Sequence, residues 1–188
     1  KNPRAQVPVI IDRRGDSEVV VYESLICVEF VDEAMNDDNG PVLLPGPPSQ
    51  RANARMWTDK FNNDICSSFY SLLLKQDKEG QESAAEKILS SLREFAKHCK
   101  GPFFYGEEFT MVDIAIAPWA VGLRMDVLKH YRDFEVPRTG EYAMYWEWVS
   151  AISKRPSFIA TTSNLPAMID VYRPYAEGTA YTQRVPVV

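Results

Sequence analysis

Two short segments rich in β-branched residues lie near the start of the chain, at residues 7–11 and 18–22, and predict two strands. The polar residues 12–17 between them include a glycine, as a hairpin connection requires, so we expect the strands to pair antiparallel. Pro8 lies inside the first segment, although a proline cannot donate to a ladder and is normally confined to edges, strand starts or bulges. We therefore expect the backbone of Val7 and Pro8 to face something other than a neighbouring strand.

The second strand leads directly into a helix that begins near Ser24 and carries apolar residues on one broad face. A serine at a helix start offers a hydroxyl and free backbone N–H groups, which together bind anions. The pair Glu23-Ser24 is also typical of an ordinary helix N-cap, and Ser24 can serve both purposes. Taken with Val7 and Pro8, the pattern predicts a cradle for an extended, peptide-like molecule that carries a carboxylate.

The remainder of the chain is predicted to be helical. A stretch rich in Asn, Asp, Gly and Pro at residues 37–49 predicts a domain linker. Helices are predicted over residues 50–75, 82–99, 110–129, 139–154, 157–163 and 166–175. We therefore expect residues 1–36 to form part of an α/β domain and residues 50–188 to form an all-helical domain.

A hairpin with a single helix cannot bury both faces of its sheet, and isolated two-stranded hairpins are marginal in water. The predicted helical domain supplies no further strand. We expect the missing strands to precede Lys1 or to come from a partner.

The composition of the chain argues against several classes of function. A formal net charge of −5 without a visible basic patch argues against nucleic acid as a partner. The longest apolar run, residues 114–123, is interrupted by a proline and is too short to cross a membrane. Three widely spaced cysteines argue against a disulfide framework and favour a reducing, cytoplasmic location. The two histidines, His98 and His130, have no partner at metal-ligand spacing, so no metal is expected.

Thr110 and Asp113 have the spacing of a capping box. In such a box the threonine side chain accepts from the third helical N–H, and the acid accepts from the threonine backbone. A buried acid at this place is stabilised by the helix dipole and by its hydrogen bonds. Because caps are far commoner than catalytic acids, we assign both residues to folding.

Several motifs together resemble a known family. They are Lys1-Asn2-Pro3, Val7-Pro8-Val9-Ile10, Val20-Val21-Tyr22-Glu23-Ser24, Glu29-Phe30-Val31-Asp32-Glu33, Leu43-Leu44-Pro45, and Phe109 to Ala115 followed by Pro118-Trp119. Over roughly residues 1–175 the chain resembles a cytosolic glutathione transferase, and its Lys-Asn-Pro and Pro-Trp motifs resemble the omega class in particular. The resemblance implies a thioredoxin-like domain, here without its first strand–helix–strand unit, followed by a helical domain. In the omega class that unit carries a catalytic cysteine, so the catalytic residue is expected before Lys1.

The resemblance also implies a role for each cradle residue. Pro8 would be a cis-proline, and the main chain of Val7 would pair with the cysteinyl backbone of glutathione. Ser24 and the helix N-terminus would hold the carboxylate of the γ-glutamyl end, and Glu23 its ammonium group. Lys1 would reach the glycine carboxylate.

A second-substrate pocket between the domains, lined by Trp119, Met168 and Tyr172, is implied in the same way. The omega pattern often has a tryptophan near the last helix and an arginine just after the Pro-Trp pair. Leu165 and Gly122 stand at these places, so the shape and polarity of this pocket are expected to differ.

The implied activity is glutathione-dependent. It would be thiol transfer or reduction, or conjugation of small electrophiles in detoxification, with glutathione as co-substrate and a homodimer as the assembly. The homodimer would form through the helix that begins at Ser24 and the helix of residues 50–75. The alternative is a non-catalytic module of the kind found in translation factors and synthetase complexes. Such a module should lose its peptide cradle, and the retained Val7-Pro8 and Glu23-Ser24 pairs argue against that alternative.

Overall fold

A computed structural model describes residues 2–3, 5–36 and 40–180. The elements in chain order are β1 (Val9–Asp12), β2 (Val19–Tyr22), α1 (Ser24–Met35), α2 (Pro48–Leu74), α3 (Lys78–His98), α4 (Met111–Ala120), α5 (Leu123–Arg132), a 3₁₀ turn (Gly140–Tyr142), α6 (Ala143–Ser153), α7 (Pro156–Thr161) and α8 (Leu165–Ala176). The chain divides into two compact units, Lys1–Arg55 and Met56–Val188. A small sheet followed by helices confirms the predicted fold class, whereas the predicted domain limits 1–36, 37–49 and 50–188 stay a prediction.

The first unit contains the predicted hairpin. β1 and β2 pair antiparallel from Val9 opposite Tyr22 to Asp12 opposite Val19, and they form a two-stranded sheet within the described residues. The ladder begins at Val9, two residues later than the predicted strand, because Pro8 has no N–H to contribute. α1 packs on β2, where the buried Cys27 thiol lies 3.7 Å from the Val21 carbonyl oxygen and donates to it.

The second unit is built around an aromatic core. The Phe61 and Phe95 rings, from α2 and α3, lie 5.5 Å apart, and Phe95 is 4.8 Å from the ring of Trp148 on α6. All three side chains are fully buried. Edge-to-face aromatic pairs of this kind add to the free energy gained by burying their apolar surface. The predicted helix of residues 50–75 therefore provides one wall of the core, as α2.

The prediction of a single helix over residues 110–129 is wrong. The structure has two helices there, α4 and α5, separated by Val121 and Gly122. Gly122 has a φ of +63° and a ψ of −129°, a conformation that glycine adopts at little cost and that interrupts a helix. The helical periodicity continues across this point because both helices bury apolar side chains in the same core.

No helix in the described part of the chain is both long and apolar enough to cross a lipid bilayer.

Candidate functional site

The open end of the hairpin brings together the two motifs of the predicted cradle. Val9 pairs with Tyr22 as the last step of the ladder, so Pro8 and Glu23 are the next residues on the two opposing strands. Val7, the residue before Pro8, is 91% exposed and lies outside the ladder. The Val7–Pro8 peptide bond is cis, as the resemblance implied. Two motifs that are fifteen residues apart in sequence therefore share one edge of the first unit.

The N-terminus of α1 lies at the same edge. The first intrahelical bond runs from the Cys27 N–H to the Glu23 carbonyl oxygen at 2.8 Å, which leaves the preceding helical N–H groups without an intrahelical acceptor. The N-cap position is occupied by Glu23, whose side chain does not cap the helix, and the first turn contains no acidic residue. Ser24 is therefore the first helical residue rather than the N-cap, and neither a side-chain cap from Glu23 nor an acid in the first turn offsets the positive end of the helix dipole.

The backbone of Glu23 is strained. Its φ is +71°, a value that a residue with a side chain adopts at a cost of about 1–3 kcal/mol. Strain of this kind persists only where the surrounding structure imposes it, and it is concentrated at binding and catalytic sites. Lys1, the remaining residue of the predicted cradle, lies outside the described residues, so its role stays a prediction.

Two of the three predicted second-substrate residues meet in one aromatic cluster of the second unit. The cluster consists of Phe69, Tyr70, Trp119, Tyr172 and Tyr175, whose neighbouring ring centroids lie 5.3–6.4 Å apart. Tyr172 is almost fully buried in it, at 6% exposure. Met168 instead lines a cavity with residues of α4, α5 and α7.

Arg124 contacts this aromatic cluster, although no sequence motif indicated it. Its guanidinium lies 4.4 Å from the centroid of the Trp119 ring, and its Nε donates to the Tyr172 hydroxyl at 3.1 Å. Its Nη1 also donates to the Pro118 carbonyl oxygen at 2.8 Å. The resemblance placed Gly122, three residues after Trp119, where the omega pattern often has an arginine. The helix break at Gly122 places Arg124, two residues later, over Trp119, so the break itself is the signal that could have revealed the arginine.

Two titratable groups at this cluster, Cys66 and Tyr70, have raised pKa values. Burial raises the pKa of the half-buried Cys66 thiol, and the nearby Arg124 charge offsets this only in part. Burial likewise raises the pKa of the Tyr70 phenol, and its hydrogen bond with Tyr172 raises it further. Within the described residues, no group of three His, Cys, Asp or Glu side chains is placed to hold a metal. The Cys66 thiol is therefore not activated, and binding of a second substrate at this cluster stays a prediction.

Thr110 and Asp113 form the capping box at the start of α4. One oxygen of the Asp113 carboxylate accepts from the Thr110 N–H at 2.8 Å and from its hydroxyl at 2.9 Å. The other accepts from the Phe104 N–H and the Trp148 indole N–H, both at 2.8 Å. Burial raises the pKa of Asp113, and these hydrogen bonds act in the opposite direction. Because the fully buried carboxylate joins three segments of the helical core, its geometry agrees with a folding role.

Similarity to known proteins extends over both units. The family model for the glutathione S-transferase C-terminal domain matches residues 50–151, more than half of the chain. A probable glutathione S-transferase of Glycine max is 28% identical over 155 residues, covering 80% of this chain and 64% of that protein. Glutathione S-transferase omega-1 of Rattus norvegicus is 31% identical over 121 residues, covering 63% of this chain and 48% of that protein.

A solved structure is similar along nearly the whole chain. Glutathione transferase Omega 3C from Trametes versicolor has a TM-score of 0.78 and 32% identity, covering 94% of this chain and 72% of that chain. This chain spans about half to two thirds of the length of the two curated relatives. The match to the family model, supported by these relatives and this structure, shows that the chain belongs to the glutathione S-transferase family and is omega-like.

Proposed function

We propose that the chain binds glutathione at the open end of the hairpin and takes part in glutathione-dependent transfer. The observation that supports this most directly is the register of the ladder. The ladder ends with Val9 opposite Tyr22, so the exposed residue Val7 and the start of α1 both follow from the same end of the hairpin. An extended peptide can add to such a free edge by main-chain hydrogen bonds, as peptides do in β-augmentation.

Each part of the tripeptide has a chemical counterpart in this proposal. The main-chain N–H and C=O of Val7 bind the cysteinyl residue, whose thiol then lies beyond Pro8. The N–H groups at the start of α1 and the Ser24 hydroxyl hold the α-carboxylate of the γ-glutamyl end. The Glu23 carboxylate binds the ammonium group beside it, and Lys1 binds the glycine carboxylate.

Replacing Ser24 with alanine is expected to weaken glutathione binding about tenfold, because a hydrogen bond to a charged group contributes roughly 1.5–3 kcal/mol. Isothermal titration calorimetry measures the affinity, and retention on immobilised glutathione gives a simpler assay. Ser17→Ala is the matched control, since Ser17 is an exposed serine in the turn at the opposite end of the hairpin. We expect that control to bind glutathione as the unmodified protein does.

Two results would count against this proposal. If Ser24→Ala and Ser17→Ala bind glutathione equally well, the anion site at α1 is not used. If the unmodified protein does not bind glutathione at all, the non-catalytic module becomes the better description.

The reaction we propose is thiol transfer through a cysteine in the strand–helix–strand unit that the resemblance places before Lys1. The cysteine thiolate attacks the sulfur of a mixed disulfide, a new disulfide forms, and the substrate leaves as a thiol after taking up a proton. In the competing reaction, conjugation, the glutathione thiolate attacks carbon and displaces a leaving group such as chloride. The omega-like resemblance favours the first reaction.

Assays on the full-length protein, with any residues that precede Lys1, separate these two reactions. We expect reduction of a glutathione mixed disulfide to exceed conjugation of a chlorinated nitrobenzene. Strong conjugation without thiol transfer would show that a cysteine is not the reacting group.

The assembly and the second-substrate site are part of the same proposal. We propose a homodimer that uses α1, where Ile26, Val31 and Met35 are at least 43% exposed. The aromatic cluster around Trp119 and Tyr172 would contact the apolar part of the electrophile. A cytoplasmic location stays a prediction, based on the unpaired cysteines.

A further inference from the structure

A serine follows two basic residues in the segment that joins α6 to α7. The segment reads Lys154-Arg155-Pro156-Ser157-Phe158, and α7 begins within it, at Pro156. Lys154 and Ser157 are exposed, and Phe158 is half-buried. Positive charges two and three residues before a serine, with an apolar residue directly after it, form a charge pattern by which basophilic protein kinases select their substrates.

The helix that contains this serine is weakly anchored. α7 has six residues, and none of them is fully buried. Residues 162–164, which follow it, are exposed and have no regular secondary structure. Elements with few buried side chains open at a much lower cost in free energy than the whole domain. Ser157 can therefore enter the active site of a kinase by local opening of α7, without unfolding of the helical core.

Arg155 is placed to hold a phosphate group on Ser157. Both side chains line the cavity that Met168 also lines, and no aspartate or glutamate is among the described residues around it. The Arg155 guanidinium lies 3.7 Å from the centroid of the Phe109 ring, and its Nε is buried and makes no hydrogen bond. An aromatic face stabilises the cation but leaves its N–H donors unsatisfied. A guanidinium with such donors binds phosphate oxygens through its planar fork.

We propose that a basophilic protein kinase phosphorylates Ser157 and that the phosphate group then pairs with Arg155. The Ser157 hydroxyl oxygen attacks the γ-phosphorus of ATP, an O–P bond forms, and the bond to ADP breaks. The hydroxyl proton passes to the catalytic aspartate of the kinase. The phosphate group adds a charge of about −1.5 to −2, and its pairing with Arg155 stabilises α7 against opening. This inference goes beyond glutathione binding and uses no residue of the cradle.

The first experiment treats the intact protein with the catalytic subunit of cyclic-AMP-dependent protein kinase and ATP. Mass spectrometry should find phosphate on Ser157, and Ser157→Ala should lose this incorporation. Lys154→Gln should lower the initial rate about tenfold, because it removes one charged contact with the kinase. Ser153 is an internal control, since it is exposed but has no basic residue in the five positions before it, and it should stay unmodified.

The second experiment isolates the pairing with Arg155. Phosphoserine is incorporated at position 157 during translation, so the kinase is not needed. Exchange of the Ile159 N–H, which donates to the Arg155 carbonyl oxygen at 3.0 Å, reports the opening of α7. Phosphoserine should slow this hydrogen exchange about tenfold. Arg155→Gln should abolish the slowing, and Arg155→Lys should restore part of it, because the charge returns without the fork.

A control separates the pairing from a change in folding. Because Arg155 also packs on Phe109, circular dichroism checks that each Arg155 variant is folded, and its exchange is compared with and without phosphoserine in the same variant.

The proposal is overturned if the kinase leaves Ser157 unmodified, modifies Ser153 to the same extent, or modifies Lys154→Gln as fast as the unmodified protein. It is also overturned if phosphoserine at position 157 does not slow exchange, or slows it equally in the folded Arg155→Gln variant.

Discussion

Asp113→Ala is expected to lower the free energy of unfolding by about 4 kcal/mol. The substitution leaves three N–H donors buried without an acceptor, those of Phe104, Thr110 and Trp148. An unsatisfied buried donor costs roughly 1–3 kcal/mol, and neither water nor a neighbouring side chain can easily replace a carboxylate that is fully buried. Urea denaturation followed by circular dichroism measures the change.

A graded series makes this expectation specific to the hydrogen bonds. Asp113→Asn keeps one acceptor oxygen but brings an NH₂ group toward a donor, so it should cost about half as much. Thr110→Val removes only the hydroxyl that donates to Asp113, at about 1 kcal/mol. Asp126→Asn, an exposed acid in the first turn of α5, is the control and should change little. If Asp113→Ala lowers the free energy of unfolding by less than about 1 kcal/mol, the hydrogen bonds of this carboxylate do not stabilise the core as proposed.

Arg132→Ala is expected to lower the free energy of unfolding by about 3 kcal/mol. The half-buried guanidinium donates to carbonyl oxygens at the ends of two other helices, Leu72 at 3.1 Å and Leu73 in α2, and Ala176 at 2.7 Å in α8. Arg132 is itself the last residue of α5, so one positive charge lies at three helix C-termini. Burial lowers the pKa of Arg132, although arginine remains protonated in proteins.

Two further variants test whether the planar guanidinium group of Arg132 is needed. Arg132→Lys should recover only about half of the lost stability, because a single ammonium group cannot reach carbonyls on two helices with the same geometry. Arg173→Ala is the matched control, since Arg173 also lies in the last turn of α8 but is exposed and interacts with the side chains of Tyr131 and Asp170. Urea denaturation should show little change for that control. If Arg132→Ala loses no more stability than Arg173→Ala, Arg132 does not stabilise the three helix C-termini as proposed.

The elements that could be predicted from the sequence are those specified by neighbouring residues. β1, β2 and α1 were predicted because their side-chain periods of two and of about 3.6 residues are local signals. The same is true of the capping box, whose two residues are three positions apart. Gly122 was overlooked because the apolar periodicity persists across it, so the break between α4 and α5 depended on a backbone conformation that periodicity does not show.

By itself, the sequence determined the hairpin, the helices apart from the break at Gly122, the capping pair Thr110 and Asp113, and the resemblance from which the glutathione cradle was predicted. Only the tertiary structure decided which groups the long side chains of Arg124 and Arg132 contact. These partners lie as many as sixty residues away in sequence, on other helices, and sequence spacing carries no record of them. The physical reason is that periodicity and capping act within a few residues, whereas the position of a guanidinium depends on how whole helices pack.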